Sequence, residues 1–350
     1  MRILVINPGA TSTKIAVFDG DKEAAKKTID HDAGELAGFD SVVAQKGYRL
    51  SLVEDALREL GYSPGDFDAV CSRGGLLRHI PSGTYRVTDR VIADVLDPPY
   101  GEHASNLGVL LAREIANEAG IPAFFVDPIS VDEMEPTARI SGFKGMERES
   151  FFHALNQKSM ARQAARELGR PYEELNLVVC HLGGGVSTAA HKKGRVTDVF
   201  NVKDDGAFSA DRGGALPVNA VINYCFSGRT KAEVKRTLGG SAGIYSYLGT
   251  KDFREVERRA AAGEGDFPLI YDAFVYQQAK DIGAMAAALS MEVDAIVLTG
   301  GMANSARLCE SIKSYVGRIA PVLVLPGEAE MRSLAEGALR VLRGEPAKEY

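Results

Sequence analysis

Ile6-Asn7-Pro8-Gly9-Ala10-Thr11-Ser12-Thr13-Lys14 near the start of the chain and Cys180-His181-Leu182-Gly183-Gly184-Gly185-Val186-Ser187-Thr188 near its middle are glycine-rich turns of one design. Each follows an apolar run, ILVI in the first and LVVC in the second. Each therefore reads as a strand ending in a turn that can wrap backbone around phosphate oxygens. Setting Asn7 on His181 also sets Gly9 on Gly183 and Gly20 on Gly194, a constant offset of 174 residues between positions 7 and 181. The expectation is one α/β fold used twice, with a nucleotide between the copies.

Composition supports two cores and excludes several partners. The chain has 350 residues, of which 45% are hydrophobic, enough for two domains. A formal charge of −6, from 41 basic and 47 acidic side chains, gives no general attraction to nucleic acid or to an anionic membrane. Phosphates must then meet local backbone donors and a few placed cations. Cys71, Cys180, Cys225 and Cys309 are far apart, without a CxxC or Cys/His metal spacing, so neither disulfides nor a thiolate metal site is expected. The chain opens directly on strand one, with no cationic leader and no apolar run long enough to cross a membrane, which reads as a cytoplasmic protein.

Outward from the turns, the first copy reads as strands at 3–6, Lys14–Phe18 and Lys26–Ile29, and the second as Leu177–Cys180, Ser187–Ala190 and Arg195–Phe200. Between them, Leu50–Leu60, 86–96 and 105–119 have helical spacing, Phe67–Cys71 and Ala123–Val126 are strand-like, and Phe151–Leu168 reads as a long helix stopped by Gly169 and Pro171. The second half adds helices at Leu216–Cys225, Asp252–Ala262 and Asp272–Ala288, with a glycine-rich segment running through Gly249. Strands at Asp294–Leu298 and Val322–Leu325 and a helix from about Ala329 to Leu342 complete it. A hinge near 145–175 divides the chain into residues 1–150 plus 330–350, an acceptor domain, and residues 151–329, a nucleotide domain.

The first turn offers backbone N–H groups, hydroxyls on Thr11, Ser12 and Thr13, and the cation of Lys14, which suit a phosphoryl group leaving a nucleotide. It lacks GxxxxGKS/T and so is not a Walker loop. In the second turn three successive glycines leave room for phosphate close to the backbone. A third break, Leu298-Thr299-Gly300-Gly301-Met302-Ala303-Asn304-Ser305, places Gly300 and Gly301 between a strand and a helix beginning near Asn304. Adenine and ribose could lie there, although a plain strand-to-helix turn predicts the same residues.

Taken together, NPGATSTK, SRGG, HIPSG, EHASN, FVDPISVDEM, FFHALNQKSMA, VVCHLGGGVS, SADRGG, VLTGGMANS and LPGEAE resemble the acetate kinase superfamily over essentially the whole chain, and within it the butyrate kinases. The resemblance implies duplicated actin-like (ribonuclease H-like) domains with an interdomain nucleotide cleft. It also implies ATP/ADP and Mg2+ as cofactors, and reversible phosphoryl transfer to butanoate, giving butanoyl phosphate. Isobutyrate, propionate or acetate are alternative acceptors, and a nucleotide-dependent binding or chaperone module is the alternative of a different class. HLGGGVS in place of the HLGNGSS of acetate kinases, and SRGG in place of RVVHGG, favour butyrate.

By the same resemblance Asn7, Ser12 and Lys14 face the transferring phosphoryl group, joined by Thr13, Gly183, Gly184, Gly185, Gly300, Gly301 and Asn304 around the nucleotide. Asp127 and Glu328 are the magnesium carboxylates, and Asp127 also places the acceptor. His153, His181 and Arg212 stabilise phosphoryl charge. Arg73, His103 and Asn106 hold the carboxylate. Acetate kinases carry their arginine three positions earlier, where this chain has Val70, so Arg73 would act from a shifted position. A homodimer or larger homo-oligomer is likewise implied by the resemblance.

Overall fold

In both glycine turns the flanking strands pair with each other, and this pairing organises each half of the fold. The computed structural model describes residues 1–203 and 205–350, which fall into two compact units, Met1–Asp132 with Ala329–Tyr350, and Glu133–Glu328.

In the first unit β1 (Arg2–Pro8) pairs antiparallel with β2 (Ser12–Asp19), Asn7 opposite Lys14, and β2 continues into β3 (Lys22–Asp30). On its other side β1 runs parallel to β4 (Ala69–Arg73), followed by β6 (Ala123–Val126) and the antiparallel β5 (Thr84–Arg86). The order is β3-β2-β1-β4-β6-β5. Ile3, Leu4, Val5 and Ile6 are all fully buried, as a continuous apolar run must be when both faces of a sheet are covered. Leu4 and Ile6 join a core with Leu107 and Leu111 of helix α2 (Asn106–Ala119) and Val53 and Leu57 of helix α1 (Lys46–Glu59).

The second unit repeats the pattern. Strand β7 (Asn176–Leu182) pairs antiparallel with β8 (Val186–Lys192), which pairs with β9 (Arg195–Phe200), and β7 runs parallel to β10 (Ala295–Gly300) and then β11 (Val322–Pro326). Read from its other edge, the order β9-β8-β7-β10-β11 matches the first five strands of the other sheet. Helix α3 (Ala154–Glu167) packs on β7 and β10, and the long helix α4 (Phe267–Ala288) with α5 (Ala306–Val316) fills the core around Val178, Cys180 and Leu298. The last helix, α6 (Glu330–Leu342), belongs to the first unit and packs on β1, β4 and β6.

Several boundaries differ from the sequence reading for identifiable reasons. The division falls at Asp132/Glu133 rather than at 145–175. The Glu133 carboxylate accepts Lys158 Nζ at 2.6 Å and Val196 N at 2.9 Å, and Arg148 holds Asp198 and Asp205, which ties 133–150 to the second sheet. Helix α3 begins at Ala154, because Phe151 and Phe152 are buried in non-helical chain ahead of it. The glycine-rich stretch before Gly249 contains two helices, Lys231–Gly240 and Gly243–Leu248, the first opened by a Thr230/Glu233 capping box. The helix expected near Asn304 is preceded by a 3-10 turn and starts at Ala306, where Ser305 Oγ accepts the Leu308 N–H at 3.0 Å. Helix α4 begins at Phe267, five residues before the expected start, with Pro268 tolerated in its first turn.

Candidate active site

The first glycine turn is built around a residue that sequence reasoning missed. Gly9 N donates to Ser12 O at 2.7 Å to close the loop. From beneath, Arg49 of α1 donates to Gly9 O at 2.8 Å, Ala10 O at 3.1 Å and Thr13 Oγ1 at 3.2 Å, and is itself oriented by Gln45 Oε1 at 2.8 and 3.0 Å. Arg49 is 1% exposed and has no carboxylate partner among the described residues, and its burial pushes the guanidinium pKa down. Its side chain fixes the turn by its carbonyls.

Of the predicted residues here, Ser12 and Lys14 lie on the more open face of β2, Lys14 being exposed. Strand alternation turns Thr13 the other way, where its buried hydroxyl meets His31 Nε2 at 2.8 Å and Arg49. Thr13 therefore supports the turn from behind instead of offering its hydroxyl to a ligand.

At the ends of the parallel strands, where α/β folds place ligands, Asn7 and Arg73 come together through Glu330. Asn7 Nδ2 donates to Glu330 Oε2 at 2.7 Å and Arg73 Nη1 to Glu330 Oε1 at 2.6 Å. Glu330 was also missed; it opens α6 two residues beyond Glu328, and nothing in the spelling Glu328-Ala329-Glu330 tells which acid faces the strands. Asp127, buried at the end of β6 with a left-handed φ of 39°, accepts Ser82 Oγ at 2.6 Å and Gly83 N at 2.8 Å through one carboxylate oxygen. Asn106 accepts the Leu76 N–H at 2.8 Å and fills the space beside Gly75, where a Cβ would fall 1.7 Å from its Oδ1. It thereby locks the loop following Arg73. His103 is exposed just before α2, its Nδ1 2.6 Å from Ser105 Oγ.

The second unit gathers more of the predicted residues. His153 and His181 stack with ring centroids 3.7 Å apart and planes at 11°. His181 Nε2 lies 3.3 Å from Glu328 Oε1, and its Nδ1 is 2.7 Å from Asn156 Oδ1. Gly185 is bare because Arg212 lies against it: a Cβ there would be 2.8 Å from Arg212 Nη1, which donates to Val202 O at 3.0 Å. Asp211 turns away to Lys251 at 3.0 Å and so does not neutralise Arg212. Gly300, with φ of 88°, lets β10 end against β7; a Cβ would sit 2.4 Å from Leu182 O. A Cβ on Gly301 would meet nothing, because Gly301 opens on a recess of about 820 Å³ lined by Gly183, Gly184, Phe253, Glu257, Gly301 and Asn304 among others. Gly183, Gly184, Gly301 and Asn304 thus share one concavity within this unit, while Gly185 and Gly300 pack against Arg212 and Leu182.

Among the described residues no group of three or more His, Cys, Asp or Glu could hold a metal. The carboxylates named for magnesium, Asp127 and Glu328, belong one to each unit. Carboxylate oxygens are the donors that magnesium takes when nucleotide phosphate and water complete its shell, and Asp127 and Glu328 each offer that chemistry.

Two parallel-cored sheets of matching strand order, each with a glycine turn between its first two strands, have the duplicated architecture of the actin-like ATPase fold. Residues 144–317 match the family model described as the Acetokinase family. The chain is similar to the acetate kinase of Porphyromonas gingivalis, with TM-score 0.81 and 20% identity over 97% of this chain and 99% of that one. It is similar also to a propionate kinase of Francisella tularensis subsp. tularensis SCHU S4 (TM-score 0.75, 19% identity, 96% and 98% covered). The acetate kinase of Entamoeba histolytica gives TM-score 0.78 at 16% identity, with 96% and 98% covered. The matched segment and the shared fold make the chain similar to the acetate kinase superfamily.

Proposed function

We propose that the chain is a butyrate kinase, transferring the terminal phosphoryl group of ATP reversibly to butanoate to give butanoyl phosphate and ADP. The observation that carries this reading is the cluster of His153, His181 and Arg212 around the Gly183–Gly185 turn, beside a recess sized for a nucleoside. It offers directional donors and a cation where phosphoryl charge develops.

In this reading the acceptor carboxylate, already ionised near neutral pH, attacks the γ-phosphorus directly, so no strong general base is required. One carboxylate oxygen–phosphorus bond forms and the bond to the β-phosphate oxygen breaks, leaving ADP. Arg73 and Asn7, oriented by Glu330, receive the acceptor and phosphoryl oxygens, and Arg212 supplies a further cation for phosphoryl oxygens. Asp127 and Glu328 would hold magnesium, which when bound screens phosphate charge from the incoming carboxylate.

The preference for butyrate rests on the HLGGGVS and SRGG spellings, and each methylene of the acceptor is worth only about 0.8 kcal/mol when buried. Initial rates with acetate, propionate, butyrate and isobutyrate, with acyl phosphate trapped by hydroxylamine, test the reading. The highest kcat/KM is expected with butyrate. A highest value with acetate would overturn the acyl preference, and no hydroxamate above a protein-free control with any acid would overturn the kinase itself.

A further inference from the structure

Behind the stacked histidines runs a chain of buried polar side chains. Tyr172 OH is 2.7 Å from His191 Nδ1, and His191 Nε2 is 3.1 Å from Gln157 Oε1. Gln157 Nε2 is 2.9 Å from both Ser187 O and Ser187 Oγ, and Ser187 Oγ is 2.9 Å from His153 Nδ1. Tyr172, His191, Gln157 and Ser187 are each at most 4% exposed.

The donors and acceptors in this chain are fixed by elimination. Ser187 O is a carbonyl and can only accept, so the Gln157 NH2 must face it and Gln157 Oε1 must face His191. His191 Nε2 then carries a hydrogen. Burial, with Lys158 and Arg162 nearby, pushes the His191 pKa well below its ordinary value. The ring is therefore neutral, and its Nδ1 accepts from Tyr172 OH. At the other end Ser187 Oγ accepts from Gln157 Nε2 and, more weakly, from His153 N at 3.4 Å. Among the described residues the one acceptor left for the Ser187 hydroxyl hydrogen is His153 Nδ1.

His181 is set the opposite way. Asn156 Nδ2 donates to Gly327 O at 3.2 Å, which turns Asn156 Oδ1 to His181 Nδ1 and requires a hydrogen on that nitrogen.

We propose that Tyr172, His191, Gln157 and Ser187 are positioning residues that hold the His153 imidazole with Nδ1 unprotonated and its proton on Nε2, so that Nε2 serves as a hydrogen-bond donor. The transfer role of His153 rests on the function proposed above; its tautomer does not, so the two are tested apart.

Long-range 1H–15N spectra of the full-length protein labelled at histidine, without nucleotide, report the tautomers, the His153 signal being identified by its loss in His153→Gln. The expected result is an unprotonated Nδ1 and protonated Nε2 on His153, with a protonated Nδ1 on His181. Ser187→Ala, which removes a single oxygen, should give a mixture of His153 tautomers, and Ser187→Thr should restore the wild-type form. His191→Phe should mix the tautomers from the far end of the chain. In assays with butanoate, kcat of Ser187→Ala should fall about tenfold, the scale for loss of an outer partner of a functional imidazole. KM for ATP should stay within about twofold, since the nucleotide recess is untouched. A wild-type His153 protonated on Nδ1, or a tautomer unmoved by Ser187→Ala, would overturn the proposal. If the tautomers respond as expected but the wild-type enzyme phosphorylates no carboxylate, the proposed function falls and the positioning chain stands.

Discussion

Arg49 shows what a single residue contributes that spacing cannot reveal. On paper it is one more arginine in a helix, and a charged residue at helical spacing ordinarily faces water. In the fold it is buried against the carbonyls of Gly9 and Ala10, a role visible only once α1 lies beneath the turn. Arg49→Met keeps much of the volume but strands those carbonyls, and each lost bond to a charged donor is worth about 1.5–3 kcal/mol. Urea unfolding should show a stability loss of about 3 kcal/mol, and ATP should bind more weakly because the turn loses its fixed shape. An unchanged urea midpoint would exclude this role. Glu330 makes the matching case in the acceptor region. Glu330→Gln keeps a hydrogen-bonding group between Asn7 and Arg73 but removes the charge that orients the guanidinium. The expected outcome is a fall of about tenfold in kcat/KM for the acceptor, roughly 1.4 kcal/mol, with KM for ATP little changed. Equal losses for both substrates would instead point to a general structural role.

At the scale of elements, legibility followed burial. The runs ILVI and LVVC announced β1 and β7 because strands covered on both faces have no polar alternation to confuse them, and β6 and β9 were placed to the residue at Ala123–Val126 and Arg195–Phe200. Stretches with mixed exposure were read poorly. Helices Lys231–Gly240 and Gly243–Leu248 hide among glycines, although Thr230-x-x-Glu233 was a readable start signal. The loop that carries Arg212 depends on α4 in a way no local pattern could show. Gln278 Nε2 donates to Phe208 O at 3.2 Å, and Asp281 Oδ2 accepts the Ala207 N–H at 2.6 Å. Burial is the main cause raising the Asp281 carboxyl pKa to about 7, Asp205 adding to it while the Ala207 N–H and Lys280 oppose it. In the unfolded chain an aspartate titrates near 3.9. Between these values the folded protein keeps a proton that the unfolded chain releases, so the cost of ionising Asp281 is absent below about pH 4, grows up to about pH 7 and is complete above it. Asp281→Asn retains an acceptor oxygen for Ala207 and never ionises. Relative to wild type it should gain on the order of 2 kcal/mol at about pH 8 and nothing at about pH 4. A stability difference that is the same at both pH values would refute the coupling.

For the molecule as a whole, the sequence made the duplication visible but not its seam. The offset between Asn7 and His181 predicted two sheets of one design, whereas the true division depends on where Glu133 and Arg148 find their partners, and these contacts span many residues. The same non-locality closes the first unit, since its last helix arrives after the whole second unit has intervened. Gly337 of α6 lies where a Cβ would come within 2.5 Å of Val126 Cγ2 on β6, and its carbonyl accepts Thr84 Oγ1 at 3.1 Å. The missing side chain thus sets how closely the end of the chain approaches a sheet formed near its beginning. Gly337→Val overfills that contact and should destabilise the first unit by about 2 kcal/mol. Because the damage lies inside one cooperative unit, it should not spread evenly. Amide hydrogen exchange should accelerate in β1, β4 and β6 while β7 and β10 keep wild-type protection. Acceleration of equal size in both sheets would mean that the chain unfolds as one block, and the division at Asp132/Glu133 would then have no energetic meaning.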